Sequence, residues 1–293
     1  MILISHWDPD GILCISLFYK KFGKDIKVYF SGPRLIEKTL IKVIGESNKS
    51  EEIFITDIAP TQEAIYLSSY FKKAIWIDHH VWDKLELTSK IEVYRKGYKS
   101  AARVVSEFFN IESKYLDFID DIDSNNIRNQ LERDFRDLIA GIKFFYPKSY
   151  NVWFLDIAKK LSEEKDIESM IKEYETILLN FRNILEKHED KIILNTKIEK
   201  IDNTEIFFVY CDINIPAFYV VETLQKRIKK DLDYVFILYE NKGEIRTTTN
   251  KNVLEIAKEL DGGGHIYAAG FQYSSEENLI EKIKEIFKRK NIV

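Results

Sequence analysis

Three ionisable side chains stand at alternate positions near the start of the chain, in the stretch MILISHWDPDGILC: His6, Asp8 and Asp10, with Gly11 beside the last. A solvated loop could carry them, and Asp10-Gly11 could open a helix with the aspartate as its cap. Two further groups have the same character. IFITD ends in Asp57, followed by Ile58-Ala59-Pro60, and AIWID ends in Asp78, followed by His79-His80. Singly, Asp57 reads as a turn or cap residue and Asp78-His79-His80 as a surface loop. Jointly, each group closes an apolar run, in a fixed order along the chain.

Carboxylates gathered at this density repel one another, and their pKa values climb. Divalent cations remove that cost. Imidazole mixed with carboxylate suits Mn²⁺ and similar first-row ions, whereas an all-oxygen set leans to Mg²⁺ or Ca²⁺. Two such ions about 3.5–4 Å apart can hold a hydroxide between them and clamp a phosphoryl group for in-line displacement.

For these groups to meet, the apolar runs must be strands of one sheet. Residues 1–5, 27–32, 53–57 and 74–78 read as strands, with helical patterns between and after them. Strands alternating with helices predict a parallel sheet with helices on both faces. Sites in such sheets form outside the carboxyl ends of the strands, where all three groups fall. Helical patterns dominate from about 113 to 191. The last, IESMIKEYETILLNFRNILEKHED, reads as a connecting helix. A second α/β unit follows, with strands IFFVY, YVFILYE and EIRTTT, helices AFYVVETLQKRIKK and VLEIAKEL, a DGGGH loop, and a C-terminal helix over about 276–290. The expected division is 1–150, a connecting segment 151–194, and a smaller α/β domain 195–293. In the loop, Gly262, Gly263 and Gly264 lack Cβ, so their N–H groups can approach a phosphate. A tight turn is the alternative.

The chain of 293 residues is long enough for two cores, and 45% of it is hydrophobic. A net charge of −4 gives no basic signature, so a nucleic-acid partner would need a local patch or bound cations. Cys14 and Cys211 are too few for a disulfide framework or zinc cluster, which predicts a reducing compartment, the cytoplasm. No run reaches the roughly 18 apolar residues of a membrane span, and the apolar start is too short and lacks the basic residues of a signal peptide. His188 and the clusters Lys226-Arg227-Lys229-Lys230 and Lys288-Arg289-Lys290 read as solvated helix faces. Some of the tyrosines and phenylalanines could stack bases.

These motifs resemble the DHH superfamily of phosphoesterases, which includes RecJ exonucleases, nanoRNases, cyclic-dinucleotide phosphodiesterases and type II pyrophosphatases. Asp78-His79-His80 matches the naming motif. Asp261-Gly262-Gly263-Gly264-His265, with Ala268-Ala269-Gly270-Phe271 after it, resembles the DHH-associated substrate domain, and Arg246 matches that domain's usual arginine. The resemblance spans nearly the whole chain. It implies that His6 and Asp10 hold one Mn²⁺, that Asp57 bridges two, and that Asp8, His79 and an aspartate of LDFIDDIDSNN hold the other. Asp123 fits that aspartate best, with Asp120 and Asp121 adjacent. His80 would face the substrate phosphate, and Asp78 would orient the histidines. Gly262, Gly263, Gly264, His265 and Arg246 would grip substrate, with the terminal nucleotide between the two domains.

Some features depart from particular branches. Ile12 stands where nanoRNases and pyrophosphatases carry a further aspartate. Asp8 follows the RecJ-like pattern, but His6 replaces its first aspartate. The chain is too short for the extra OB-fold of bacterial RecJ. The implied activity is a Mn²⁺-dependent phosphodiesterase or exonuclease, with Mg²⁺ as the alternative ion. It would hydrolyse single-stranded DNA, RNA or short oligonucleotides to mononucleotides. A signalling phosphodiesterase for cyclic dinucleotides or their linear products is the second reading. A metal-free binding module of a replication or repair assembly is the third, and the intact donor set speaks against it.

Overall fold

Four short, mainly apolar runs and one mixed edge segment become five parallel strands in the first of two units, residues 1–181. The computed structural model describes residues 1–201 and 204–290. The chain enters as β1 (Ile2–Ser5), α1 (Pro9–Phe22), β2 (Lys27–Phe30), α2 (Ile36–Glu46), β3 (Glu52–Thr56), α3 (Gln62–Ser68), β4 (Lys73–Asp78) and β5 (Ile91–Arg95). The helices α4 (Ala101–Phe109), α5 (Leu116–Asp123), α6 (Gln130–Phe145), α7 (Tyr150–Ser162), α8 (Ile167–Lys172) and α9 (Glu175–Leu194) follow.

The strand order is β2-β1-β3-β4-β5, every neighbouring pair parallel. The chain leaves β1 towards one edge, then returns to the other side of β1. The reversal lies between β1 and β3, the place where open α/β sheets bind ligands. His6 follows β1 and Asp57 follows β3. Both faces are covered. Leu13, Leu17 and Phe18 of α1 pack with Val104, Ile119, Leu138, Phe154 and Met170 on one side. Ile36 and Leu40 of α2 and Ile65 of α3 pack against Ile4, Ile55 and Trp76 on the other. A fully buried Ile or Leu contributes about 1.5–3 kcal/mol, so this double cover sets the register of the strands that carry the site.

Two differences from the sequence reading have local causes. β5 was not expected, because IEVYR is short, half-buried and mixed in polarity, as edge strands are. The expected connecting helix is broken into α8 and α9 at Glu173 and Tyr174. The Tyr174 hydroxyl bonds Asp156 and Lys160 of α7, which turns α8 back onto the first unit. The 151–194 segment therefore comprises α7, α8 and α9, and the boundary between the units falls inside α9, after Phe181.

The second unit, 182–293, holds a six-stranded sheet in the order β10-β11-β9-β8-β7-β6. Its elements are β6 (Thr196–Ile201), β7 (Thr204–Tyr210), α10 (Ala217–Ile228), β8 (Tyr234–Leu238), β9 (Lys242–Arg246), α11 (Leu254–Glu259), β10 (Gly263–His265), β11 (Ala268–Gln272) and α12 (Glu276–Lys290). Among the described residues, β7 and β8 pair parallel and the other neighbours of this sheet antiparallel. β6, an edge strand with half its residues exposed and none buried, was not expected. Strand EIRTTT ends at Arg246 rather than Thr249. The last residues of the expected C-terminal domain, 291–293, lie outside the described residues. No described helix is long and apolar enough to cross a membrane.

Candidate active site

β1 ends at Ser5, and α1 begins almost at once. Asp8 has extended backbone and caps α1, its carboxylate accepting from Gly11 N–H at 2.9 Å. The expected cap, Asp10, is instead inside the helix and fully buried, because the cap position fell two residues earlier. Gly11 permits this tight start: a Cβ there would lie 2.2 Å from the His6 carbonyl oxygen. Asp10 turns towards α4, where its two oxygens accept from the N–H groups of Ala101 at 2.6 Å and Ala102 at 2.8 Å. A helix N-terminus favours such a negative charge. Ser5 and Thr56 hydroxyls, 2.8 Å apart, tie β1 to β3 beneath the site.

Asp57 follows β3 with φ 59°, a left-handed backbone that Asp tolerates better than most residues. His79 and His80 follow β4. The His80 Nδ1 lies 2.6 Å from Asp78 Oδ1, while the other Asp78 oxygen accepts from the Trp82 indole N–H at 2.6 Å. His79 Nδ1 lies 3.2 Å from the Tyr98 carbonyl. A carbonyl only accepts, so Nδ1 carries the hydrogen and Nε2 presents its lone pair. That Nε2 lies 3.6 Å from Asp123, 3.7 Å from Asp57 and 3.9 Å from Asp10.

Residues far apart in sequence thus form adjoining donor groups. His6, Asp8 and Asp57 make one, and Asp10, His79 and Asp123 another, each with ligand-type atoms within 4.8 Å of one another. His6 Nδ1 stands 2.7 Å from Asp8 and 3.7 Å from Asp57. This pairing differs from the one the resemblance implied, which put Asp10 with His6 and Asp8 with His79. The cause is local: the cap keeps Asp8 beside His6, and the α4 N-terminus draws Asp10 towards His79. The neighbouring aspartates separate clearly. Asp120 binds Ser100 and Arg103, and Asp121 faces Arg128 at 2.9 Å. Asp123 faces His79.

Among the described residues, no lysine or arginine pairs with Asp8, Asp10, Asp57, Asp78 or Asp123. Burial, reinforced by the Asp8 charge, raises the Asp10 carboxyl to about 7. Burial and then neighbouring carboxylates push Asp57 and Asp123 well above the usual range. Burial also acts to raise Asp8 and Asp78, but His6 holds Asp8 low and His80 with Trp82 holds Asp78 low. Burial, then the His80 charge, lowers His79, keeping it neutral. Burial opposes protonation of His80, but Asp78 outweighs it and raises the imidazole.

Divalent ions fit this set. The donors are neutral imidazole and carboxylate. Asp57 Oδ2 is buried and accepts no hydrogen bond among the described residues. The charge surplus has a measurable consequence. Without metal, Asp10, Asp57, Asp123 and His80 keep protons that the unfolded chain would release. Raised folded-state pKa values give stability that is present at low pH and lost as pH rises through them. Lowered His79 opposes this alone near neutrality. We expect the chelated protein to melt about 5 °C or more lower at pH 8 than at pH 5.5. Added Mn²⁺ should reverse that trend, because it binds the deprotonated carboxylates. Thermal unfolding across pH checks both; a chelated protein that becomes more stable through this window contradicts the reading.

In the second unit, the DGGGH segment is not a loop throughout. Gly263–His265 forms β10, paired with β11 in a hairpin. A Cβ on Gly262 would lie 2.2 Å from the Gly270 carbonyl, and Gly264 has φ 142°. These two glycines let the hairpin close, whereas Gly263 faces open space. Ala268 stands opposite both His265 and Arg246, so they sit two strands apart at one level of the sheet. Directly opposed residues share a face, which puts both side chains on one side. Arg246 donates to Glu244 at 2.9 Å, while its Nε is buried with no hydrogen-bond partner among the described residues. His188, expected in solvent, is half-buried, its Nδ1 2.8 Å from the Ile184 carbonyl.

Sequence reasoning missed the supports of the site: Trp82, the Tyr98 carbonyl and the Ala101 and Ala102 N–H groups. Only Trp82, four positions past Asp78, had a side-chain signal.

Comparison with known proteins places this geometry in context. Residues 217–290 match the DHHA1 domain model. Oligoribonuclease NrnB of Bacillus subtilis is 23% identical over 306 residues, covering 94% of this chain and 73% of that protein. The pGpG-specific phosphodiesterase PggH of Vibrio cholerae superposes with a TM-score of 0.64 at 15% identity, covering 99% and 98% of the two chains. RecJ of Thermus thermophilus in complex with Mn²⁺ gives 0.59 at 12% identity, covering 98% of this chain and 52% of that one.

Proposed function

We propose that this chain, which belongs to the DHH superfamily of phosphoesterases and carries a DHHA1 domain, is a divalent-metal-dependent phosphodiesterase that trims short single-stranded oligonucleotides from one end. One observation carries the reading: two adjoining donor groups, each mixing imidazole with carboxylate, meet at the switch point of a parallel sheet. His6, Asp8 and Asp57 would hold one ion. Asp10, His79 and Asp123 would hold the other, with Asp57 reaching both groups. Bound ions would activate water and neutralise charge on the phosphoryl oxygens. Mn²⁺ is the favoured ion because imidazoles share each group with carboxylates.

The protein's own residues have separable tasks. His80, raised by Asp78, would hold a proton close to the reacting phosphate. Trp82 would fix the Asp78 carboxylate so that one oxygen stays on His80. Arg246 and His265, on one face of the second sheet, would grip substrate phosphates, with Gly263 leaving room for their approach. Arginine suits phosphate because its planar fork donates two parallel hydrogen bonds.

A second reading has its own support. PggH matches this chain over nearly the full length of both, which favours a linear dinucleotide as substrate. Labelled DNA and RNA strands from dinucleotide upwards, with a cyclic dinucleotide beside them, separate the readings. The exonuclease reading expects stepwise shortening of strands with Mn²⁺ and none in chelator. Cleavage confined to dinucleotides would favour the second reading, and no cleavage of any arm would sink both.

A further inference from the structure

From the last two residues of β5 to the start of α4 the sequence reads Tyr-Arg-Lys-Gly-Tyr-Lys-Ser, three cations and two tyrosines in seven residues. The segment leaves the carboxyl end of the edge strand beside the site. Arg95 stands opposite Asp78 in the ladder, and Lys96 N–H donates to the Asp78 carbonyl at 3.3 Å. Two residues after Lys96 the Tyr98 carbonyl receives His79. The turn is therefore fixed to the same residues that close the donor set.

Its side chains point outward. The Lys96 and Lys99 side chains are 46% and 55% exposed, and Arg128, from the segment between α5 and α6, is 59% exposed. Lys99 and Arg128 converge on Asp121, at 4.0 and 2.9 Å. Glu107 takes the hydroxyls of Tyr94 and Tyr98 and lies 3.5 Å from Lys96. Lys96, Lys99 and Arg128 thus meet two carboxylates, and Arg95 lies over the Trp82 ring, a local positive surplus beside an acidic site on an acidic chain. Tyr98 is 39% exposed and presents a ring beside the lysines. Exposed cations with an aromatic ring among them suit a flexible polyanion that carries bases.

We infer that this turn, with Arg128, is a track for the phosphodiester backbone of a single strand whose end lies in the metal site. The inference rests on the phosphodiesterase reading and names its substrate class: strands longer than a dinucleotide. The first phosphate contact lies next to Asp78, and further nucleotides run over Lys96, Tyr98 and Lys99. Contacts of this kind act on distant phosphates, so their contribution grows with strand length and weakens with salt.

The test combines Lys96→Ala with Lys99→Ala and measures kcat/KM on labelled strands from dinucleotide to about 20 nucleotides at several salt concentrations. The double variant is expected to lose at most about twofold on the dinucleotide and at least about tenfold, mainly in KM, on strands of about five or more. Its log–log salt slope on long strands should shrink by about 1.4, roughly 0.7 for each lost phosphate contact. Lys96→Arg with Lys99→Arg should restore the length dependence, and Lys72→Ala, an exposed lysine just before the opposite end of β4, should not alter it. Equal loss at every length, no loss at any length, or the same loss in Lys72→Ala overturns the track.

Anisotropy of a labelled 20-mer with chelated enzyme separates the two ideas. If the wild type binds the strand and the double variant does not, the track stands even where no hydrolysis occurs and the phosphodiesterase reading falls. If both bind equally, the track falls. Displacement by polyglutamate as readily as by unlabelled strand would mark a general polyanion surface and also overturns it.

Discussion

Asp57→Asn is expected to lose at least about 10³-fold in kcat/KM with Mn²⁺, roughly 4 kcal/mol of transition-state stabilisation. Its carboxylate faces both donor groups, 3.7 Å from His6 on one side and 3.7 Å from His79 on the other. Its loss disturbs the whole set, whereas any other single change leaves one group intact. Asparagine tolerates the left-handed backbone at this position, so the fold is kept. The metal-free protein should melt no lower than wild type. Asp57 is almost fully buried, and its carboxyl is raised by burial and then by Asp8, Asp10, Asp123 and Asp78, so its removal relieves repulsion. Kinetics together with thermal unfolding in chelator decide the matter. A folded variant with near-wild-type turnover refutes the bridging role; a large fall in melting temperature in chelator would show that Asp57 is chiefly structural.

Arg246→Ala and His265→Ala should each cost roughly 2–4 kcal/mol in kcat/KM, about 30- to 1,000-fold, with Mn²⁺ affinity unchanged. Neither belongs to the proposed metal-binding set. Arg246 keeps one nitrogen on Glu244 and a buried Nε without an acceptor among the described residues, and a phosphate oxygen would satisfy it. The loss should be largest on di- and trinucleotides, which have few other contacts. That is the opposite length signature from the lysines of the β5–α4 turn, so one substrate series resolves both. Calorimetric Mn²⁺ titration completes the test. Weakened metal binding in either variant, or equal loss at every length, would mean that this face of the second sheet does something other than hold phosphates.

The strand ends that carry the site were legible because β1, β3 and β4 are uninterrupted apolar runs, each stopped by a polar residue. What the sequence hid is directional or distant. Which of Asp8 and Asp10 faces His6 depends on where α1 starts, and Gly11 packing on the His6 carbonyl decides that. The donors to Asp10 lie 91 and 92 residues away in the chain. Asp123 was the best fit by pattern; the arginines that occupy Asp120 and Asp121 were not visible. Strand β10 hid because glycine disfavours strands, and here pairing with β11 overrides that preference. The edge strands β5 and β6 lacked the apolar content of the central ones.

In the proposed mechanism the residues at the ends of β1, β3 and β4, with Asp123, would hold two divalent ions that the reaction needs. Protein stripped with chelator and then titrated with Mn²⁺ tests it most directly, with bound ion counted and hydrolysis of a labelled oligonucleotide followed in the same samples. Two ions should bind per chain, and activity should be absent in the stripped protein and rise as the second ion binds. Full hydrolysis by exhaustively stripped protein, or a chain that binds no Mn²⁺ at these residues, would contradict it.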